Sequence, residues 1–159
     1  MDQRHAFTLD LPCEEDTSAL GRLLAAHATV GDVVLLSGPI GAGKSHLSRA
    51  FIRQRLGRME DVPSPTFTLV QTYEDPLGDI WHADLYRLSH PDEVQELGLT
   101  DAFFSAICLV EWPDRLGKLT PHDAMTITLV PMAEGRQAHI SFSGRPGLAA
   151  ALSDGLAHD

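Results

Sequence analysis

Val33-Val34-Leu35-Leu36-Ser37-Gly38-Pro39-Ile40-Gly41-Ala42-Gly43-Lys44-Ser45 is an apolar run that passes into a glycine-rich loop matching the pattern G-x-x-x-x-G-K-S/T in full. Such a pattern acquires meaning from its setting, and the setting is present. A strand candidate stands before the loop, and helix-compatible residues (Leu47, Ala50, Phe51) follow it. Gly38, Gly41 and Gly43 let the backbone curl so that successive N–H groups point inward at an anion, and a helix starting near Lys44 adds its positive end. The segment from Gly38 through Ala42 to Ser45 is therefore predicted to be a Walker A phosphate-binding loop (P-loop). Lys44 would reach the β- and γ-phosphates, and the Ser45 hydroxyl would ligate Mg²⁺. The competing interpretation is an ordinary glycine-rich turn.

Working outward, residues 5–11 alternate as a short strand, and Asp16 or Thr17 is placed to cap a helix carrying Leu20, Leu23 and Leu24. The helix after the loop should run to about Leu56 and stop at Gly57. Thr66 to Tyr73 is predicted as a strand, Asp75-Pro76-Leu77-Gly78 as a turn and Asp79 to Ala83 as its hairpin partner. Residues 91–104 are predicted helical, and Ile107 to Val110 form a buried strand whose end opens into a site. Met125 to Val130 and Gln137 to Phe142 are late strands joined by a turn at Gly135. The sum is an α/β, P-loop NTPase-like three-layer fold, with a central mixed sheet of parallel core strands and antiparallel strands added at the edges. With 159 residues, 43% of them apolar, one domain is expected, over 1–145, with 146–159 a weakly helical or frayed tail.

Composition narrows the function. The net charge is −10, and Lys44 and Lys118 are the only lysines, so strong direct binding to RNA or DNA is not expected. The acidity fits a solvated surface or a face for a basic partner. Cys13 and Cys108 form no C-x-x-C pair, and the start of the chain lacks the pattern of a signal peptide. No segment is long enough to cross a bilayer, which predicts a cytoplasmic protein in a reducing setting.

Hydrolysis needs more than a loop. Four apolar residues leading into Glu111 form the Walker B arrangement, in which a carboxylate at a strand end holds the metal. Asp84 is a second carboxylate, suited to positioning water or supporting the metal, or else to capping a turn or pairing with Arg87. His82-Ala83-Asp84 lacks the further clustered Cys or His of a zinc site. Thr66, in Ser64-Pro65-Thr66-Phe67, is the candidate switch residue for Mg²⁺ and the γ-phosphate, with a turn-capping hydroxyl as the alternative. The chain contains no asparagine and hence no N-K-x-D guanine motif, which disfavours GTP.

Several segments together resemble the TsaE (YjeE) family, the P-loop ATPases of bacterial tRNA threonylcarbamoyladenosine synthesis. These are Gly41-Ala42-Gly43-Lys44-Ser45, Pro63 to Val70, Asp84-Leu85-Tyr86-Arg87-Leu88, Glu96-Leu97-Gly98-Leu99 and Ile107 to Pro113, in family order over roughly residues 8–142. The resemblance implies that Ser45 and Glu111 hold Mg²⁺, that Thr66 belongs to a switch-like loop, and that Asp84 is required near the nucleotide. It also implies that Glu14, Thr17 and Arg136 lie near the adenine. The chain departs from the usual family loop at Pro39, Ser45 and His46, and His46, though beside the nucleotide, has no assigned role. By resemblance, the protein would hydrolyse ATP while bound to TsaD and TsaB, meeting tRNA only through that complex. With no evident arginine finger of its own, it would be weakly active alone. A small-molecule or nucleoside kinase and a nucleotide-sensing adaptor are the rival functions, since the same loop serves both.

Overall fold

Because side chains alternate across a strand, β2 (Val33–Ser37) divides its apolar residues between two cores. Val34 and Leu36 join Leu20, Leu24, Leu47 and Phe51, whereas Val33 and Leu35 join Leu85, Leu99, Phe103 and Val110. A strand apolar on both faces must be covered on both. The computed structural model, which describes residues 4–57, 61–63, 65, 68–143 and 152, meets that demand with a three-layer α/β arrangement.

The seven strands lie in the order β1 (Arg4–Leu11), β7 (Arg136–Ser143), β6 (Met125–Pro131), β2, β5 (Ile107–Glu111), β4 (Ile80–Asp84) and β3 (Val70–Tyr73). The central strands β6, β2, β5 and β4 are parallel, while β7 and β1 extend one edge antiparallel and β3 the other. This is the predicted mixed sheet. Helices α1 (Glu14–His27) and α2 (Lys44–Leu56) contribute to the core that holds Val34 and Leu36; α3 (Asp92–Glu96) and α4 (Leu99–Ser105) contribute to the opposite one. Leu36 and Asp84 both stand opposite Glu111 in register, so the carboxyl ends of β2, β5 and β4 finish together where the glycine-rich loop begins.

Three boundaries differ from expectation for local reasons. Helix α1 starts at Glu14, before both expected caps, because Cys13 occupies the cap position and Asp16 reaches back to accept its backbone N–H at 3.1 Å. Of the strand expected over Thr66 to Tyr73, Thr66 and Phe67 lie outside the described residues, and β3 starts at Val70: Leu69 adopts φ 70° and donates its N–H to the Pro65 carbonyl at 2.7 Å, which turns the chain. The helix expected over 91–104 is split into α3 and α4 by Gly98, whose φ of 81° ends one and begins the other. The expected tail, 146–159, lies outside the described residues except for Leu152, which is fully buried in the core beside α1 and α2.

Candidate functional site

Loop 38–43 leaves β2 and feeds α2 through Gly43, whose φ of 109° suits a residue without a side chain. The Arg136 guanidinium lies against Gly43, where a Cβ would have to displace it. The N-terminus of α2 thus faces the cleft with its first amides unshielded by any capping side chain, a setting that favours anions. Glu14, Gly41, Gly43, Lys44, Ser45, His46, Asp84, Glu111 and Arg136 line this cleft, joined by Ile40, Arg49, Tyr86 and Trp112.

Among the sequence-predicted residues, Ser45 and Glu111 meet directly. The Ser45 hydroxyl donates to the Glu111 carboxylate at 3.1 Å from Oε1 and 3.4 Å from Oε2, across 66 positions of sequence. A hydroxyl and a carboxylate oxygen at this spacing form a donor set suited to a hard divalent ion such as Mg²⁺. Asp84 lies beside them on β4, buried, with its Oδ1 accepting the Tyr86 N–H at 3.0 Å. That bond is the turn-capping role considered for it, and its place in the cleft leaves the chemical one available.

Lys44 is buried at the head of α2. Its ammonium donates to the Gly38 carbonyl and, at 3.3 Å, to that of Pro39, and stands 3.8 Å from the centroid of the Trp112 indole. Burial pulls its pKa below the ordinary lysine value, opposed by the carboxylates of Glu111, Asp84 and Asp114. Trp112 holds its place with φ 59° and is braced by the Tyr86 ring at 4.8 Å. Trp112 is no predicted site residue, and its position directly after Glu111 at the end of β5 is the signal that would have found it.

The remaining predicted residues have other surroundings, inside or outside the cleft. Thr17 does not line the cleft: it lies on the inward stripe of α1 with Leu20, Gly21 and Leu24, fully buried, and its hydroxyl has no partner among the described residues. Ala42 faces the core, and its N–H is taken by the Pro39 carbonyl at 3.1 Å. Gly38 contributes a carbonyl to Lys44 and packs tightly on the Leu129 backbone. His46 lies 2.7 Å from the Ser18 hydroxyl through Nε2, linking α2 to α1 at the rim. Thr66 lies outside the described residues. His82, set aside above as a weak metal ligand, is instead 2.7 Å from Glu111.

Comparison with known proteins identifies the family. Residues 11–138 match the family model described as "Threonylcarbamoyl adenosine biosynthesis protein TsaE". The chain is similar to the "tRNA threonylcarbamoyladenosine biosynthesis protein TsaE" of Rickettsia felis, at 37% identity over 78% of this chain and 72% of that one. The protein of the same description from Bacillus subtilis is 38% identical, over 72% of each chain. A solved structure titled "Crystal structure of Bacillus subtilus YdiB" superposes with a TM-score of 0.72 and 27% identity, covering 100% of this chain and 98% of that one. With the family model spanning most of its length, this chain belongs to the TsaE family of threonylcarbamoyladenosine biosynthesis proteins.

Proposed function

We propose that the chain is an Mg²⁺-dependent ATPase subunit of the machinery that makes threonylcarbamoyladenosine on tRNA, acting in the cytoplasm in complex with TsaD and TsaB. The observation that carries this is the meeting of Ser45, Glu111 and Lys44 at one glycine-rich helix start, in a chain of this family. The α2 amides and loop backbone receive the phosphates, because unpaired N–H groups and the helix dipole favour negative charge. Lys44 exchanges its bonds to the Gly38 and Pro39 carbonyls for phosphate oxygens. Ser45 and Glu111 hold Mg²⁺, whose contribution is to neutralise phosphate charge. Asp84, buried beside Glu111, accepts a hydrogen bond from the attacking water, and Thr66 serves as the switch hydroxyl. Glu14 and Arg136, which also line the cleft, border the adenine.

The test is phosphate release and pull-down with TsaD–TsaB under Mg-ATP, for wild type, Lys44→Ala and Glu111→Ala. Wild type should be retained, with turnover rising at least about tenfold over the isolated chain as partners complete the charge stabilisation. Both variants should lose turnover. Equal turnover with and without the partners would overturn the accessory role, and transfer of phosphate to a nucleoside rather than to water would make the protein a kinase.

A further inference from the structure

His82 is fully buried on β4, the strand beside β5, and its Nε2 lies 2.7 Å from Oε2 of Glu111, whose side chain is 2% exposed. Nothing in the phosphate-binding motif calls for this residue. We propose that His82 is a positioning residue: its Nε2–H holds the Glu111 carboxylate in the orientation at which Ser45 meets it, so that a divalent ion finds that carboxylate already aimed. The proposal rests on the Mg-nucleotide function above.

The hydrogen-bond inventory of the imidazole fixes the direction of the bond. Nδ1 is buried and has no partner among the described residues, while Nε2 faces a carboxylate that can only accept when ionised. In the bond to that carboxylate, Nε2–H is therefore the donor and Glu111 the acceptor. Glu111 gains from such a donor, because Asp84 stands opposite it in register in a buried site, and the hydrogen bonds of the nearby Lys44 ammonium go to the Gly38 and Pro39 carbonyls. Ser45 donates to Glu111 only at 3.1 and 3.4 Å, and its hydroxyl is itself the proposed ion ligand. Among the described residues the His82 ring has no other hydrogen-bond partner. A purely space-filling role would favour an apolar side chain, which fills the same volume without burying an unpaired nitrogen. Histidine at this position makes sense through the bond it gives, as hydrogen bonds to metal-ligating carboxylates generally tune affinity.

The measurement is Mn²⁺ binding by electron paramagnetic resonance, with a non-hydrolysable ATP analogue, on wild type, His82→Leu and His82→Gln. Binding of the analogue in EDTA and thermal melting are followed in parallel. His82→Leu is expected to weaken nucleotide-dependent Mn²⁺ binding about tenfold or more while leaving EDTA binding unchanged. His82→Gln, whose amide can donate from a similar place, should recover most of the loss. Should His82→Leu fail to fold, His82→Met supplies the same donor-free comparison. The positioning role is overturned if the donor-free variant binds Mn²⁺ as wild type does, if it loses EDTA binding equally, or if His82→Gln is no better. Wild type without any nucleotide-dependent Mn²⁺ binding would overturn the Mg-nucleotide function itself, whereas wild-type binding matched by His82→Leu would remove only the role of His82.

Discussion

Lys44 sits where a buried charge is tolerated because carbonyls, an aromatic face and nearby carboxylates surround it. Replacing it with alanine should weaken ATP binding by about tenfold or more, the worth of a charge-assisted bond to phosphate. Titration calorimetry checks this, and unchanged affinity would remove Lys44 from the site. Cys108 gives a second prediction at this scale. It is free and fully buried, and burial pushes its thiol from 9.0 up to about 12. The unfolded chain releases that proton near the ordinary value and the folded chain does not, so the contribution to stability is intact below about pH 9 and falls as pH rises toward 12. Against Cys108→Ala, wild type should lose about 1.4 kcal/mol of relative stability between pH 7 and pH 10, measured by denaturant unfolding. Cys13, exposed at the start of α1, should react with a thiol reagent in the native state, whereas Cys108 reacts only after unfolding.

Among the elements, α1 and α2 cross closely enough that a Cβ on Gly21 would lie 2.7 Å from the Leu47 carbonyl oxygen and 3.1 Å from the Ala50 methyl. Gly21→Ala is expected to push the helices apart and cost about 1–3 kcal/mol in denaturant unfolding, since backbone cannot move aside as a flexible side chain can. This crossing was invisible in sequence, where Gly21 is one small residue among several. What the sequence did disclose had strong periodicity or fixed spacing: β2, the loop, α2 with its stop at Gly57, and the run into Glu111. The misplaced boundaries depended on single backbone angles at Leu69 and Gly98, and on a cysteine acting as a helix cap, none of which leaves a periodic trace. Likewise the site's motif residues were legible because loop and strand end are linear patterns. The pairing of His82 with Glu111 spans 29 positions and exists only once β4 and β5 align.

For the molecule as a whole, Arg55 ties its parts together at the end of α2 away from the cleft. Its Nε meets the Asp75 carboxylate at 2.8 Å, and its Nη1 donates to the carbonyls of Ala25 and Ala28 at 3.1 and 2.7 Å. Both partners of the ion pair are nearly buried, so Asp75→Ala, which leaves the guanidinium without its counter-charge, should cost about 3 kcal/mol by denaturant unfolding, the Ala25 and Ala28 carbonyls remaining as acceptors. The global charge of −10 has its own consequence for a polyanionic ligand. Salt screens the unfavourable long-range field, so the association rate of a nucleotide, followed by stopped flow, should rise with ionic strength up to about 0.15 M. A rate that falls over this range would mean that the local positive potential at the cleft governs the approach.

Of the two tryptophans in the chain, one is pressed against the ammonium that nucleotide phosphates are proposed to draw away. The indole of Trp112 is therefore a native optical probe of the loop, sensitive to the charge on its ring face and needing no attached dye. In a Trp81→Phe background, adding ATP should shift its emission in proportion to occupancy, so that binding can be timed in the unlabelled protein.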